Sequence, residues 1–132
     1  MGAQREEVRR HTPLPEVQEL MASFRRVAEE GSAAEALAAF YAYESQVPRV
    51  AREKVRGLRE MYGANARSCG YFTLHQTADV HHAQVWKEQL ELELEADPQA
   101  AEAALEAAEA AARALWKALD GIERQRQTRK AA

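Results

Sequence analysis

The sequence predicts an all-α protein, an up-and-down bundle of about four helices. Apolar residues recur at three- and four-residue steps over most of the chain, proline and glycine separate these periodic segments, and no useful run alternates with the period of a strand. The length of 132 residues and the hydrophobic share of 46% suit one globular domain. We therefore expect a helical domain over residues 13–126, a flexible segment before it (1–12) and a basic disordered tail after it (127–132).

Proline, glycine and a capping motif set the limits of the first two predicted helices. Two prolines precede an apolar stripe that ends at Gly31. Ser32, with Glu35 three residues later, forms a capping box, which predicts that the second helix starts near residue 33. Pro48 removes a backbone donor within this second pattern. We therefore expect a kink at Pro48, after which the helix resumes and ends near Gly63.

The third and fourth predicted helices make up the second half of the chain. The third starts between Asn65 and Ser68 and runs to about Glu95. Asp97 followed by proline is a strong start signal for the fourth, because the aspartate caps a free backbone donor and proline lacks one. The fourth helix is alanine-rich, and its apolar pattern fades near Gly121.

Composition argues against several classes of function. The net charge is −3, with 18 basic and 21 acidic residues interspersed, so nothing indicates a surface for nucleic acid or anionic membrane. No apolar run approaches the roughly 20 residues of a membrane span. The single cysteine, Cys69, cannot form an intramolecular disulfide and is interpreted as a packing residue. These features predict a cytoplasmic protein that binds neither nucleic acid nor membrane.

A polar triplet in the third predicted helix is the strongest functional signal. His75, Asp79 and His82 are spaced by four and then three residues, which places them within an arc of about 60° on one helix face. Imidazole and carboxylate are suitable ligands for iron and manganese. The alternative is an ordinary solvated face. Apolar and aromatic neighbours in the same segment argue for burial, where such groups need a metal or another partner.

Glu44 is a second polar residue in an apolar segment, because aromatic and aliphatic residues surround it in FYAYESQVP. A structural glutamate bonded to tyrosine or arginine would explain it. The His-Asp-His face of the next helix offers another explanation, since metal-binding bundles direct carboxylates and histidines inward from facing helices. The sequence therefore predicts that Glu44 joins His75, Asp79 and His82 around a redox metal, iron or manganese.

The segments FYAYESQVPRVAREKVRGLREMYG and YFTLHQTADVHH together resemble the haem-oxygenase-like di-metal oxidases, which are iron-containing redox enzymes. The para-aminobenzoate-forming branch, which includes the Chlamydia protein associating with death domains, is the most similar. Pyrroloquinoline quinone synthase and TenA-like proteins share the fold more distantly. The resemblance covers only the second half of such proteins and implies that Glu44, His75, Asp79 and His82 are ligands of a dinuclear iron or manganese site that uses dioxygen.

The resemblance also implies catalytic roles for Tyr43, Tyr71 and Lys54. The two tyrosines match aromatic positions that line the site, with core packing as the alternative. Lys54 matches a lysine linked to the self-sacrificing chemistry of the branch, but ten residues of straight helix would place it about 15 Å from Glu44. A surface lysine is the alternative interpretation, and the Pro48 bend would have to bring it back.

The chain lacks an earlier helix that supplies a glutamate, a histidine and the sacrificed tyrosine in the family's six-ligand site. Glu7 and His11 are the only residues before Pro13 that could substitute, and their spacing does not match. We therefore expect an oxidase in para-aminobenzoate, folate or cofactor biosynthesis, acting on a small-molecule substrate. A homodimer or a complementing N-terminal half protein would complete its site. The competing interpretation is a truncated, non-catalytic helical module for metal binding or protein interaction.

Overall fold

The computed structural model describes the backbone of residues 4–131 and the side chains of residues 4–129. The described chain is helical and contains no strand, which confirms the all-α prediction. Its elements are six α-helices, with one 3₁₀ turn (Pro98–Ala100) before the last of them: α1 (Arg5–Arg10), α2 (Pro15–Glu30), α3 (Ala33–Glu44), α4 (Val47–Tyr62), α5 (Gly70–Ala96) and α6 (Ala101–Ala131).

Two predicted caps are present. The Ser32 backbone N–H donates to Glu35 Oε2 at 2.9 Å, and the Glu35 backbone N–H donates to Ser32 Oγ at 3.3 Å, so the capping box at the start of α3 is complete. Asp97 Oδ1 accepts from the Gln99 backbone N–H at 3.0 Å. That cap opens a 3₁₀ turn, and α6 follows it directly.

The bend predicted at Pro48 takes the form of an interruption between two helices. α3 ends at Glu44, and α4 starts at Val47 with Pro48 in its first turn. Backbone N–H groups in a first turn have no partner within the helix, so proline costs no hydrogen bond there. The Gln46 side-chain amide donates to the Ala42 carbonyl at 2.9 Å. This bond satisfies one of the carbonyls at the end of α3.

Two other helix limits differ from the prediction. α5 starts at Gly70 instead of between Asn65 and Ser68, because those residues form a turn in which Asn65 Oδ1 accepts from the Ser68 backbone N–H at 3.0 Å. α6 continues past Gly121 to Ala131, through much of the predicted tail. The predicted N-terminal segment contains α1, which has no buried residue.

The helices pack around α3, which lies between α5 and α6, while α2 packs on α6 and α4 packs on α5. Alanine makes up most of the buried hydrophobic positions, including Ala34 and Ala38 of α3 and Ala104 of α6. Small side chains let these helices approach closely, but they bury little apolar area per residue. Cys69 is fully buried, in agreement with its interpretation as a packing residue.

Many large apolar side chains remain exposed, and the accessible surface is 9833 Å². A compact monomer of 14.8 kDa is expected to expose about 7,000 Å². The protein therefore exposes an excess of roughly 2,800 Å² relative to that expectation. No helix within residues 4–131 has the length and apolar character needed to cross a membrane.

Candidate metal centre

The centre combines the last residue of α3 with the middle of α5. Because α3 ends at Glu44, the Glu44 side chain leaves the helix where the chain bends toward α4. Asp79 and His82 lie one turn apart on α5, which packs directly against α3. Helix packing therefore brings together three side chains that are up to 38 positions apart in the sequence.

Three of the four predicted ligands converge. His82 Nδ1 lies 3.2 Å from Asp79 Oδ1 and 3.5 Å from Glu44 Oε2. One ligand atom from each residue lies within 4.8 Å of the other two. The Asp79 residue is only 3% exposed, whereas the side chain of His82 is 50% exposed. The Asp79 side of the cluster is thus buried, and the His82 side is open to solvent.

The chemistry of this donor set fits a redox metal. Two carboxylates and one imidazole are the ligand types found in non-haem iron sites, and they also suit manganese. A carboxylate buried as deeply as that of Asp79, with a second acid nearby, is costly unless a cation or hydrogen-bond donors compensate it. Glu44, Asp79 and His82 could therefore hold a divalent iron or manganese ion.

His75 lies outside this three-residue cluster, although it is on the same helix. Its ring stacks on Tyr71 with centroids 4.0 Å apart, and its Nδ1 lies 2.8 Å from the Tyr71 carbonyl oxygen. Since a carbonyl oxygen only accepts, Nδ1 carries the proton in this bond and Nε2 keeps a free lone pair. The structure thus orients His75 through Nδ1 and leaves Nε2 free, but it does not bring His75 into the three-residue cluster.

The two predicted catalytic tyrosines both lie near the centre. Tyr43 is 39% exposed and packs edge-to-face on Phe24 with centroids 5.5 Å apart. Burial raises the pKa of Tyr43 above its ordinary value, and the ionised form of Tyr71 and the carboxylates of Asp79 and Glu44 raise it further. The Tyr43 hydroxyl therefore keeps its proton at neutral pH. Tyr71 is 63% exposed and forms the stack with His75.

Lys54 is not brought to the cluster. It lies on the exposed side of α4 and borders a shallow depression with Arg49, Val50 and Glu53, all from the same helix. The buried side of α4 instead presents Ala51 and Val55. The bend before α4 therefore leaves Lys54 on the surface, and its catalytic role remains a prediction.

Glu7 and His11 also lie outside the cluster. Glu7 is exposed and serves a local cap, because its Oε2 accepts from the Gln4 backbone N–H at 3.1 Å. His11 is exposed and follows the last residue of α1. Neither residue supplies a ligand to the cluster within the described chain.

Sequence reasoning missed Trp86, which it treated only as an apolar neighbour. The Trp86 indole N–H donates to Glu44 Oε2 at 2.9 Å. A signal was present, because Trp86 follows His82 by four residues and therefore shares its helix face. A tryptophan there needs an acceptor for its single N–H once it is partly buried.

Comparisons with known proteins find one matching family and several similar proteins. The sequence profile of a family described as iron-containing redox enzyme, of the haem-oxygenase-like type, matches residues 1–116. A protein named 4-aminobenzoate synthase from Chlamydia pneumoniae is 43% identical over 91 residues, which cover 69% of this chain and 41% of that protein. Its namesake from Chlamydia trachomatis serovar D is 43% identical over 98 residues, or 74% of this chain and 42% of the relative.

A third similar protein has the same name and comes from Nitrosomonas europaea. It is 40% identical over 124 residues, which cover 92% of this chain and 50% of that protein. The chain thus spans about half the length of the curated relatives it matches, or somewhat less. The family match and these identities confirm the resemblance noted in the sequence, and the chain belongs to the haem-oxygenase-like family of iron-containing redox enzymes.

Proposed function

We propose that this chain is the metal-binding part of an oxygen-dependent iron or manganese oxidase that acts in the formation of 4-aminobenzoate. The observation that carries the proposal is the convergence of Glu44, Asp79 and His82 within 4.8 Å. The family match supports redox chemistry, and the names of three relatives support aminobenzoate as the product class.

Each ligand has a distinct task in this proposal. Glu44 and Asp79 offset the charge of a divalent cation, and His82 adds a neutral donor from the open side. His75 offers Nε2 to a second ion, because the Tyr71 carbonyl occupies its Nδ1 proton. When bound, the redox metal supplies electron transfer and dioxygen activation.

The tyrosines border the open side of the centre. Tyr43 holds its proton at neutral pH, so its hydroxyl can donate a hydrogen bond toward the acids that raise its pKa. Tyr71 holds His75 in place through its ring and its backbone carbonyl. Aromatic walls at this position would exclude water from a small substrate and favour an aromatic one.

Metal analysis tests the ligand assignment. We expect the purified chain, reconstituted with Fe²⁺ without oxygen or with Mn²⁺, to bind at least one ion, and His82→Ala to remove that binding. His81→Ala is the matched control, because His81 is the adjacent residue and its ring lies 6.5 Å from that of His82. Equal loss in both variants, or stoichiometric metal in His82→Ala, would contradict the assignment. A chain that folds but never binds metal would support the non-catalytic alternative.

The proposed site needs a further polypeptide segment to complete it. Beside His82, four exposed apolar residues follow one face of α5 at helical spacing, and we call them the open stripe: Tyr71, Leu74, Val85 and Leu92. The excess surface of roughly 2,800 Å² is somewhat more than the roughly 1,000 to 2,500 Å² that each partner contributes to a large permanent interface. Exposed apolar residues beside an incomplete set of metal ligands are expected where another polypeptide segment covers the site.

The occupant that we propose for the open stripe is a helical polypeptide equivalent to the part of the relatives that the matched residues do not cover. Since the chain covers 41% to 50% of three relatives, that part is at least as long as the matched part. It would bring further carboxylate and imidazole ligands and raise the metal content to two ions per complex. A second copy of this chain is the competing occupant.

Co-expression separates the two occupants. We expect the unmatched part of the Nitrosomonas europaea protein to co-purify with this chain as a one-to-one complex that holds two metal ions. Leu74→Glu should abolish the complex, whereas Met61→Glu, on α4 and likewise exposed to solvent, should not. A homodimer with two ions per pair, broken by Leu74→Glu, would instead identify the second copy as the occupant.

A further inference from the structure

Trp86 connects the two helices that form the metal centre. It lies on α5, four residues after His82, and its indole N–H donates to Glu44 Oε2 at 2.9 Å. The same Glu44 oxygen lies 3.5 Å from His82 Nδ1. The bond is partly buried and joins positions 42 residues apart, so it ties the end of α3 to α5.

Aromatic packing holds the indole ring in the orientation that the bond requires. Trp86 stacks on Phe40, with centroids 5.8 Å apart and planes 28° from parallel. Phe40 lies one turn before Glu44 on α3 and packs in turn against Phe24 of α2, with centroids 5.3 Å apart. The N–H therefore points at the carboxylate from a ring that cannot turn freely.

Glu44 is the ligand that most needs such support. It is the last residue of α3, next to an interruption in the helix, and its side chain has three rotatable bonds. Asp79, by contrast, has a shorter side chain in mid-helix and is only 3% exposed. Among the described residues, no hydrogen bond to Glu44 Oε1 is found, so the indole restrains one oxygen while the other can still bind a cation.

We propose that Trp86 is a positioning residue that orients the Glu44 carboxylate for metal binding. The inference rests on the proposed function, because it assumes that Glu44 is a ligand. Outer hydrogen-bond partners of metal ligands typically change metal affinity by about 10- to 100-fold when they are removed. The indole N–H is suited to this task because it can only donate, and a carboxylate ligand can only accept.

The variant Trp86→Phe keeps an aromatic ring for the stack on Phe40 and removes the N–H. We expect it to bind Mn²⁺ about 10- to 100-fold more weakly than the parent chain, measured by the paramagnetic resonance signal of free Mn²⁺. Trp116→Phe is the matched control, since Trp116 is 68% exposed on α6. Parent-like Mn²⁺ affinity in Trp86→Phe would overturn the proposal.

A double-mutant cycle separates positioning from general packing. If Trp86 acts through the Glu44 carboxylate, Trp86→Phe should weaken Mn²⁺ binding less in a Glu44→Asp background, which keeps a carboxylate but shortens the side chain that the indole holds by one methylene group. Equal weakening in both backgrounds would overturn the positioning role. All affinities are compared well below the melting temperature of each variant, so that loss of folded protein cannot mimic loss of a ligand.

The metal-free parent chain provides a second test that does not depend on any variant of Trp86. Its indole N–H should exchange with deuterated solvent at least about tenfold more slowly than that of exposed Trp116, and Glu44→Ala should remove the difference. Equal exchange of the two indoles in the parent chain would overturn the inference alone. A slow Trp86 N–H in a parent chain that binds no Mn²⁺ would overturn the proposed function and, with it, the positioning role.

Discussion

Asp79→Asn is the change that best separates a metal ligand from a structural acid. The substitution keeps the size and shape of the side chain and removes its charge at a position that is 3% exposed. An Asp79 oxygen lies within 4.8 Å of a Glu44 oxygen, and His82 balances this pair only when its ring is protonated. With His82 neutral and no metal bound, two carboxylates face each other at short range.

The magnitude of this repulsion follows from Coulomb's law. Two unit charges 4.8 Å apart repel by about 3.5 kcal/mol at an effective dielectric constant of 20 and by about 0.9 kcal/mol in bulk water. The open side beside His82 places the centre between these limits. We therefore expect Asp79→Asn to stabilise the metal-free chain by about 1 to 3 kcal/mol at alkaline pH, which raises its melting temperature by roughly 3 to 10 °C.

Metal should narrow this difference in stability, and should reverse it wherever the difference is below about 2.7 kcal/mol. Mn²⁺ at 100 times its dissociation constant should stabilise the parent chain by about 2.7 kcal/mol and should leave Asp79→Asn unchanged. Thermal unfolding at pH 8.5, followed by circular dichroism with Mn²⁺ or a chelator, measures both effects. Asp120→Asn is the control, because Asp120 is exposed on α6. A variant that is less stable without metal and still responds to Mn²⁺ would refute the reasoning and identify Asp79 as a structural acceptor.

Three further substitutions test single contacts. His75→Ala should lower the metal content of the completed complex from two ions to one, because His75 lies outside the three-donor cluster, and complete loss would contradict this. Tyr43 has a raised pKa in the folded chain, so its contribution to stability is present below pH 10 and lost as the pH rises through the folded value. Tyr43→Phe should therefore unfold less readily at high pH than the parent, and Tyr62→Phe should not. Ser32→Ala removes the cap of α3 and should cost about 1 kcal/mol, whereas Ser23→Ala should not lower the melting temperature.

The helices could be predicted because their signals are local. The capping box of Ser32 and Glu35 and the cap by Asp97 use residues within three positions of each other, and the structure contains them as predicted. The start of α5 was placed too early because Asn65 and Ser68 bond to each other in a turn, and that turn looks like a helix cap in sequence. The end of α6 was placed too early because a long helix on the surface needs no continuous apolar stripe.

The candidate metal centre could be predicted only in part, because helical periodicity gives directions and not distances. Spacing correctly placed Asp79 and His82 on the side of α5 that faces Glu44. The same spacing placed His75 with them, but its ring turns to the Tyr71 carbonyl, a choice that depends on a side-chain torsion. The position of Lys54 relative to the cluster depends on the direction that α4 takes after the interruption, and no local sequence pattern specifies that direction.

Trp86 shows why the remaining part of the centre was missed. An apolar pattern counts tryptophan as core, yet its N–H must find an acceptor wherever the ring is partly buried. Glu44 is a polar residue in an apolar segment, and Trp86 is an apolar residue on a polar face, so each lacks what the other supplies. Pairing such exceptions across neighbouring helices would predict this contact from the amino-acid sequence alone. The open stripe beside His82 follows the same logic, because four exposed apolar residues next to the proposed metal ligands fit the proposed partner, which would supply both apolar contacts and ligands.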